Sequence, residues 1–257
     1  MMWHKRKLRA NSSGQLLIVA ALAIAILISS TTIYVYEVSK EINSANSWPM
    51  TDYVLALKQS TRNTVVSSLV NASNGGEETV LTANLNELSE VLRSLDQFGI
   101  CQLDFYVSND SAYDMGVRLS WNTSDSGVSS AYANFTLNVY GIAANLAVEY
   151  TINVTTLIAV NGYYTRLAGD EKLVNLTCNV FNEGKPALAK NISLFYETLG
   201  SWIPVNSSNN LSVIDCGNGT YTASFTVDIA LDTVTVSAHI FDLRDVFVQA
   251  KTTCYEA

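Results

Sequence analysis

Histidine is nearly absent from this sequence, charge is sparse, and the cysteines never come in close pairs. Each shortage removes a class of function. Only two histidines, His4 and His239, occur in 257 residues, and Cys101, Cys178, Cys216 and Cys254 form no Cys-x-x-Cys pair. That argues against a metal centre, which draws several such ligands from close spacings. A serine nucleophile needs a histidine or lysine base, yet no Ser-x-x-Lys, Gly-x-Ser-x-Gly or His-Glu-x-x-His stretch occurs, nor a phosphate-cradling glycine loop. His239 alternates with Val236, Ala238 and Ile240, which points it outward as an ordinary surface histidine. Asp104, Asp110 and Asp114, or Asp242 and Asp245, gather carboxylates without the spacing of a calcium loop, and read as solvated turn residues. No enzyme, no cofactor, no metal and no small-molecule substrate is expected.

Basic residues are scarce as well. The chain has 15 Lys and Arg against 23 Asp and Glu, a net charge of −8. Four of the basic residues, Lys5, Arg6, Lys7 and Arg9, crowd the N-terminus, so no basic patch remains for nucleic acid.

What the chain does have is apolar content, 48% of its residues, enough for two modest cores. Gln15 to Tyr36 carries no charge, and its ~22 residues at about 1.5 Å each would cover a hydrocarbon core of roughly 30 Å. The basic flank before it and Glu37 after it predict a single-pass membrane protein with a short cytoplasmic N-terminus and residues 37–257 extracellular. Asn-x-Ser/Thr sequons fit that side. They stand at Asn71, Asn109, Asn122, Asn134, Asn153, Asn175, Asn191, Asn206, Asn210 and Asn218, and are the candidate glycosylation sites. An even number of cysteines in an exported chain reads as up to two disulfides, with three connectivities open.

Patterning gives the organisation. Pro49 disfavours helix at Trp48, so a helix is expected from Thr51 or Asp52 to about Asn71. After a turn at Gly75 and Gly76, Leu81, Leu85, Leu88, Leu92 and Leu95 recur at helical spacing, with Gly99 placed as a C-terminal cap. The two helices form a hairpin. From Cys101 the period becomes two. "YANFTLNVY" turns Ala133, Phe135, Leu137 and Val139 inward and Asn134 outward. "VEYTINVTT" does the same with Val148, Tyr150, Ile152 and Val154 against Asn153, and "LVNLTCNVF" with Val174, Leu176, Cys178 and Val180 against Asn175. The strand segments past residue 153 recur about every ten residues, the spacing of a β-sandwich.

Two resemblances add to this. The basic leader, Gly14 and the polar Gln15 opening an uninterrupted apolar helix resemble the class III signal peptide of archaeal type IV pilins and archaellins. That resemblance implies cleavage between Gly14 and Gln15 and a retained assembly helix. A secretory signal ending near Ser29, Ser30 or Thr31 and a plain membrane anchor are the competing readings. "FNEGKPALAKNISLFYE", "DCGNGTYTASFTVD" and "VTVSAHIFD" resemble the Ig-like repeats of prokaryotic surface proteins and adhesins. This second resemblance implies Cys178 within bonding reach of Cys216, leaving Cys101 and Cys254.

The expected architecture is α+β. It comprises a basic leader over 1–14, a transmembrane or assembly helix and linker over 15–48, a helical hairpin with a β-sheet domain over 49–152, and an Ig-like β-sandwich over 153–257. The expected function is a pilin-like or membrane-anchored surface subunit mediating adhesion or assembly without catalysis. Its partners would be the membrane and other pilin-like subunits or surface-layer components. The alternative is a monomeric, single-pass anchored ectodomain acting as a binding or envelope-scaffolding module.

Overall fold

The computed structural model describes Ile33 and residues 48–94, 100–121, 123–140 and 145–257. The chain divides into two units, 1–57 and 58–257, and the second carries all the strands. Helix α1 covers Trp48–Ser73 and α2 covers Val80–Ser94. The first helix starts at Trp48 rather than at Thr51, because Pro49 falls in the first turn, where its missing N–H has no intrahelical partner to lose. In α2 the leucine stripe is the buried face. Leu81, Leu85 and Leu92 are buried with Ser89, whose hydroxyl donates to the Leu103 carbonyl at 2.7 Å. Leu95 and Gly99 lie outside the described residues.

Twelve strands follow: β1 Ile100–Val107, β2 Val117–Ser120, β3 Ser126–Tyr140, β4 Asn145–Arg166, β5 Glu171–Asn182, β6 Lys185–Pro186, β7 Ala189–Thr198, β8 Ser201–Pro204, β9 Ser212–Asp215, β10 Thr220–Asp228, β11 Val234–Asp242 and β12 Phe247–Glu256. The spine is β4, 22 residues long. Its earlier part pairs antiparallel with β3 from Asn145 to Ala159, and β3 carries β1 and β2 on its other edge. From Thr156 onward β4 pairs with β5, which leads to β10 and the edge strand β9. A second layer runs β8–β7–β11–β12 and meets β4 where Tyr255 and Glu256 lie parallel to Tyr163 and Tyr164.

Alternation decides which face is covered. Ile152, Val154, Thr156, Ile158, Val160 and Tyr164, all even-numbered positions of β4, are buried, as the period of two requires. The second layer packs on that face through Val236, Ile240 and Val248, against Val174, Leu176 and Val180 of β5 and Phe225 of β10, each contributing about 1.5–3 kcal/mol on full burial. Toward the other end, Leu103, Phe135, Leu137 and Val139 are buried in β1 and β3, and α2 lies against β1. The odd-numbered positions of β4 face outward. The inward and outward sets expected for "YANFTLNVY", "VEYTINVTT" and "LVNLTCNVF" follow this parity.

Several expectations are corrected. Strands hold 56% and helices 21% of the described residues, so the expected α+β arrangement of transmembrane helix, helical hairpin, β domain and separate Ig-like sandwich gives way to a mostly β protein on one large mixed sheet. The alternation from Asn145 to Arg166 has no turn to break it, and β4 runs unbroken through 152 and 153. No helix among the described residues is long and apolar enough to cross a membrane. The longest, α1, interleaves Lys58, Gln59, Arg62 and Asn63 with its apolar positions. The transmembrane, single-pass and type IV pilin-like readings, and the localisation of 37–257 outside a membrane, are therefore withdrawn. Gly14, Gln15 and the rest of the apolar run lie outside the described residues, Ile33 excepted.

The cysteines are not joined to one another. Cys178 points into the core from β5, while Cys216 is exposed beyond the end of β9 and donates its N–H to the Thr220 carbonyl at 3.0 Å. Thr220 in turn pairs with Asn179, so Cys216 stands about two strand spacings, roughly 10 Å, from Cys178's strand, beyond disulfide reach. Cys101 lies on β1 opposite Val139, whereas Cys254 sits in the two-layer core, so that pair is not bridged either.

Candidate binding face on the outer side of the sheet

The outer face of the long sheet carries polar side chains on two halves, separated by Val128, Leu157 and Phe181 in register across β3, β4 and β5, and the two halves differ. On the β3–β4 half the polar side chains bond to one another across the strands. Ser130 faces Thr155, Tyr132 faces Asn153, and Asn134 faces Thr151. The Ser130 and Thr155 hydroxyls lie 2.8 Å apart, and both donate to Asn153 Oδ1 at 3.2 and 3.1 Å. Asn134 Oδ1 accepts from the Thr151 and Tyr132 hydroxyls at 2.6 and 3.2 Å.

On the β4–β5–β10–β9 half, the register sets two rows across four strands. One reads Asn161, Thr177, Thr222, Ile214; the other reads Tyr163, Asn175, Ser224, Ser212. Together they line a shallow cleft of about 480 Å³. None of these polar side chains has a hydrogen-bond partner among the described residues, and none is charged. Neighbouring strands are about 4.8 Å apart, so each row is roughly 14 Å long; the rows lie about 6.7 Å apart, two residues along a strand. Tyr163 and Ile214, 50% and 60% exposed, form apolar corners on a diagonal.

The floor is set by Gly162. A β-carbon there would stand 2.4 Å from Leu176 Cδ2, 2.7 Å from the Asn175 carbonyl oxygen and 3.0 Å from Cys254 Sγ. Only glycine lets β4 lie this close to β5 and β12, which holds Asn161 and Tyr163 at the height of Asn175 and Thr177.

The remaining candidates fall elsewhere. Asp110 closes its own turn, accepting from Ala112 N and Tyr113 N at 2.7 and 3.0 Å and from the Ser108 hydroxyl at 2.8 Å. Those bonds, the Ala112 N–H first, lower its pKa. Glu78 shares a hydrogen bond with Asp114, which raises the Glu78 pKa. Asp104 accepts from Gln102 at 2.8 Å. Asp242 is no solvated turn residue. It is fully buried and accepts from Thr156 Oγ1 at 2.9 Å, from Arg244 N and Nε at 2.8 Å each and from Val246 N at 3.0 Å. Arg244 also reaches Glu183 at 2.6 Å, which ties β4, the β5–β6 turn and the β11–β12 turn together. Asp245 pairs on the surface with Lys190 at 2.5 Å.

His239 is likewise not an ordinary surface histidine. Its ring lies between Phe195, 4.5 Å away, and Phe247, 5.5 Å away. Burial, and then the Lys251 charge, lower its pKa.

Among the sequons, Asn71, Asn109 and Asn191 are exposed and Asn122 lies outside the described residues. Asn206 caps the short 3-10 turn after β8. Asn210 donates to Thr226 at 3.3 Å, and Asn218 accepts from Thr220 N at 3.1 Å. Asn175 stands apart in lying within the cleft with no bond of its own. Of the eight residues in the two rows, only Asn175 carries a motif in the sequence, as the asparagine of its sequon. For the others the available signal was the outward polar parity of "VNGYYT", "NLT" and "TYTAS", without the register that aligns them.

No family model, curated protein or solved structure matches the chain.

Proposed function

We propose that this protein is a non-catalytic binding module that mediates adhesion or assembly through the β4–β5–β10–β9 half of its outer sheet face. The observation that carries this is the pair of rows, in which polar groups stand unpartnered and in register across four strands. On the neighbouring half, Ser130, Asn134, Thr151, Asn153 and Thr155 are used up on each other. The backbone between the rows is already paired within the sheet, so a ligand lies on the face and is held by side chains. An uncharged lining selects an uncharged surface, since burying an unpaired charge against it would go uncompensated.

The test is binding of the full-length chain to intact cells and isolated envelopes of the organism that makes it. Ser224→Arg places a bulky charge in the middle of a row and is expected to abolish binding. Thr151→Arg, on the self-bonded half, is expected to leave it intact. Undiminished binding by Ser224→Arg, or equal loss by both variants, would overturn the assignment of this face.

A further inference from the structure

We infer that the ligand of this face is a neutral glycan chain, lying extended across the four strands; this rests on the binding-module reading. Three features of the cleft select that chemistry. Its amides and hydroxyls both donate and accept, which suits a ligand whose polar groups are hydroxyls that do the same. A ligand of fixed carboxylates or phosphates would instead need Arg, Lys or a helix N-terminus, and the cleft lining has none. Successive strands present a polar group about every 4.8 Å, close to the rise of one sugar in an extended pyranoside chain, so each sugar meets one strand. Tyr163 and Ile214 close the diagonal, and an aromatic ring with an apolar face and a polar tip is suited to the C–H face of a sugar at one end.

The assignment also fixes the state of Asn175. Its sequon would be modified from inside the cleft, and a glycan attached there would fill the space that a ligand chain needs. The ligand-binding form of the protein therefore leaves Asn175 bare, whatever the state of the exposed sequons.

The experiment is calorimetric titration of the full-length chain with defined neutral oligosaccharides, namely β-1,4-linked glucose, mannose and N-acetylglucosamine oligomers of increasing length. Uronate and sulfated oligomers serve as charged counterparts. Affinity for at least one neutral series is expected to rise with length to about four sugars, the span of four strands, and then level off. Tyr163→Ala and Ser224→Arg are each expected to weaken it about tenfold or more, as when a site built to pair a polar ligand loses a contact, and Thr151→Arg to leave it unchanged. Failure of all three neutral series, charged oligomers binding as tightly, indifference to Tyr163→Ala and Ser224→Arg, or full Asn175 occupancy in binding-competent native protein would each overturn the inference. Envelopes separate this failure from failure of the binding-module reading. Ser224-dependent binding that survives periodate oxidation of the envelope but is lost on proteolysis keeps the module and removes the glycan. The two sources of such a glycan are also separable: self-association of natively produced chain, absent from chain made without glycosylation, marks a glycan on a second copy. Binding to periodate-sensitive envelope by both preparations marks an envelope polysaccharide.

Discussion

Gly162→Ala tests the packing beneath the rows. The added methyl overlaps three atoms at 2.4, 2.7 and 3.0 Å, where non-bonded heavy atoms settle at about 3.5–4.0 Å. Leu176 and Cys254 are 2% and 0% exposed, and the third atom is the Asn175 backbone carbonyl, fixed by the β4–β5 pairing. The carbonyl cannot yield without disturbing the β4–β5 pairing and both side chains lie in the core, and overpacking of this kind costs about 1–3 kcal/mol. Alanine restricts the unfolded chain and offsets about 0.4–1 kcal/mol of that. The expected net loss is up to about 2.6 kcal/mol, centred on about 1 kcal/mol. Urea unfolding of the full-length chain should show a lower midpoint at unchanged slope, and a thermal melt should fall by about 2–4 °C per kcal/mol. Adding Leu176→Val removes the shortest overlap and leaves the carbonyl one, so the double variant should lose less than the sum of the two single losses. A Gly162→Ala protein as stable as the parent, or more stable, would refute the reasoning.

Asp242→Ala leaves the half-buried Arg244 guanidinium, Thr156 and two backbone N–H groups without their acceptor, and is expected to cost about 3–5 kcal/mol in chemical unfolding. Asp242→Asn, which keeps an acceptor oxygen, should cost clearly less. His239 has a lowered pKa in the fold, so the folded state favours the neutral ring. Its contribution is complete above the unfolded value of 6.5 and is lost as pH falls from there through the folded value. Thermal melts across that window should show destabilisation toward acid that His239→Gln reduces. Burial pushes Cys178 and Cys254 up to about 12, the latter aided by Asp125, while Cys216 is exposed. Alkylation of native protein near pH 8 followed by peptide mapping should therefore label Cys216 first, with Cys178 and Cys254 reacting only on unfolding; rapid native labelling of Cys178 would contradict its inward placement.

What could be read from the residues was whatever depends on local period. The leucine stripe of α2 and the inward sets of β3, β4 and β5 follow from 3.6- and 2-residue repeats, because each element must turn one apolar side to a neighbour. Long-range register was not legible. Asn161, Asn175, Ser224 and Ser212 are ordinary outward polar residues in four separate segments, and only the pairing of β4 with β5, of β5 with β10 and of β10 with β9 turns them into parts of two rows. The same gap explains His239, outward by parity yet sandwiched by Phe195 and Phe247 from the two adjacent strands. It also explains the cysteines, since parity gives the direction of Cys178 but not the two strand spacings that separate it from Cys216. Burial of Asp242 escaped notice because its partners come from β4 and the β11–β12 turn, 86 and 4 positions away.

The contrast between the halves of the outer face has an energetic consequence for where affinity resides. A ligand approaching Asn134 or Asn153 must break bonds those side chains already make, and each intramolecular hydrogen bond is worth about 0.5–1.5 kcal/mol net. New contacts there replace old ones, with little gain. Asn161, Asn175, Thr177, Thr222 and Ser224 give up only water, and the water they release from a cleft is returned to bulk. Composition alone would make the two halves equivalent, because both draw on Asn, Thr, Ser and Tyr. Pairing makes them different: across β3 and β4, Ser130 meets Thr155 and Asn134 meets Thr151 at bonding distance, and on β5 and β10 Thr220 likewise donates to Asn179 at 2.9 Å, whereas the polar groups of the two rows are left for something else to satisfy. A substitution that supplied an internal partner, such as Thr222→Gln reaching Asn161 or Asn175, should therefore reduce ligand affinity without disturbing the fold. Unchanged affinity in a variant whose new internal bond is seen by NMR would show that the unpartnered state of these groups is incidental.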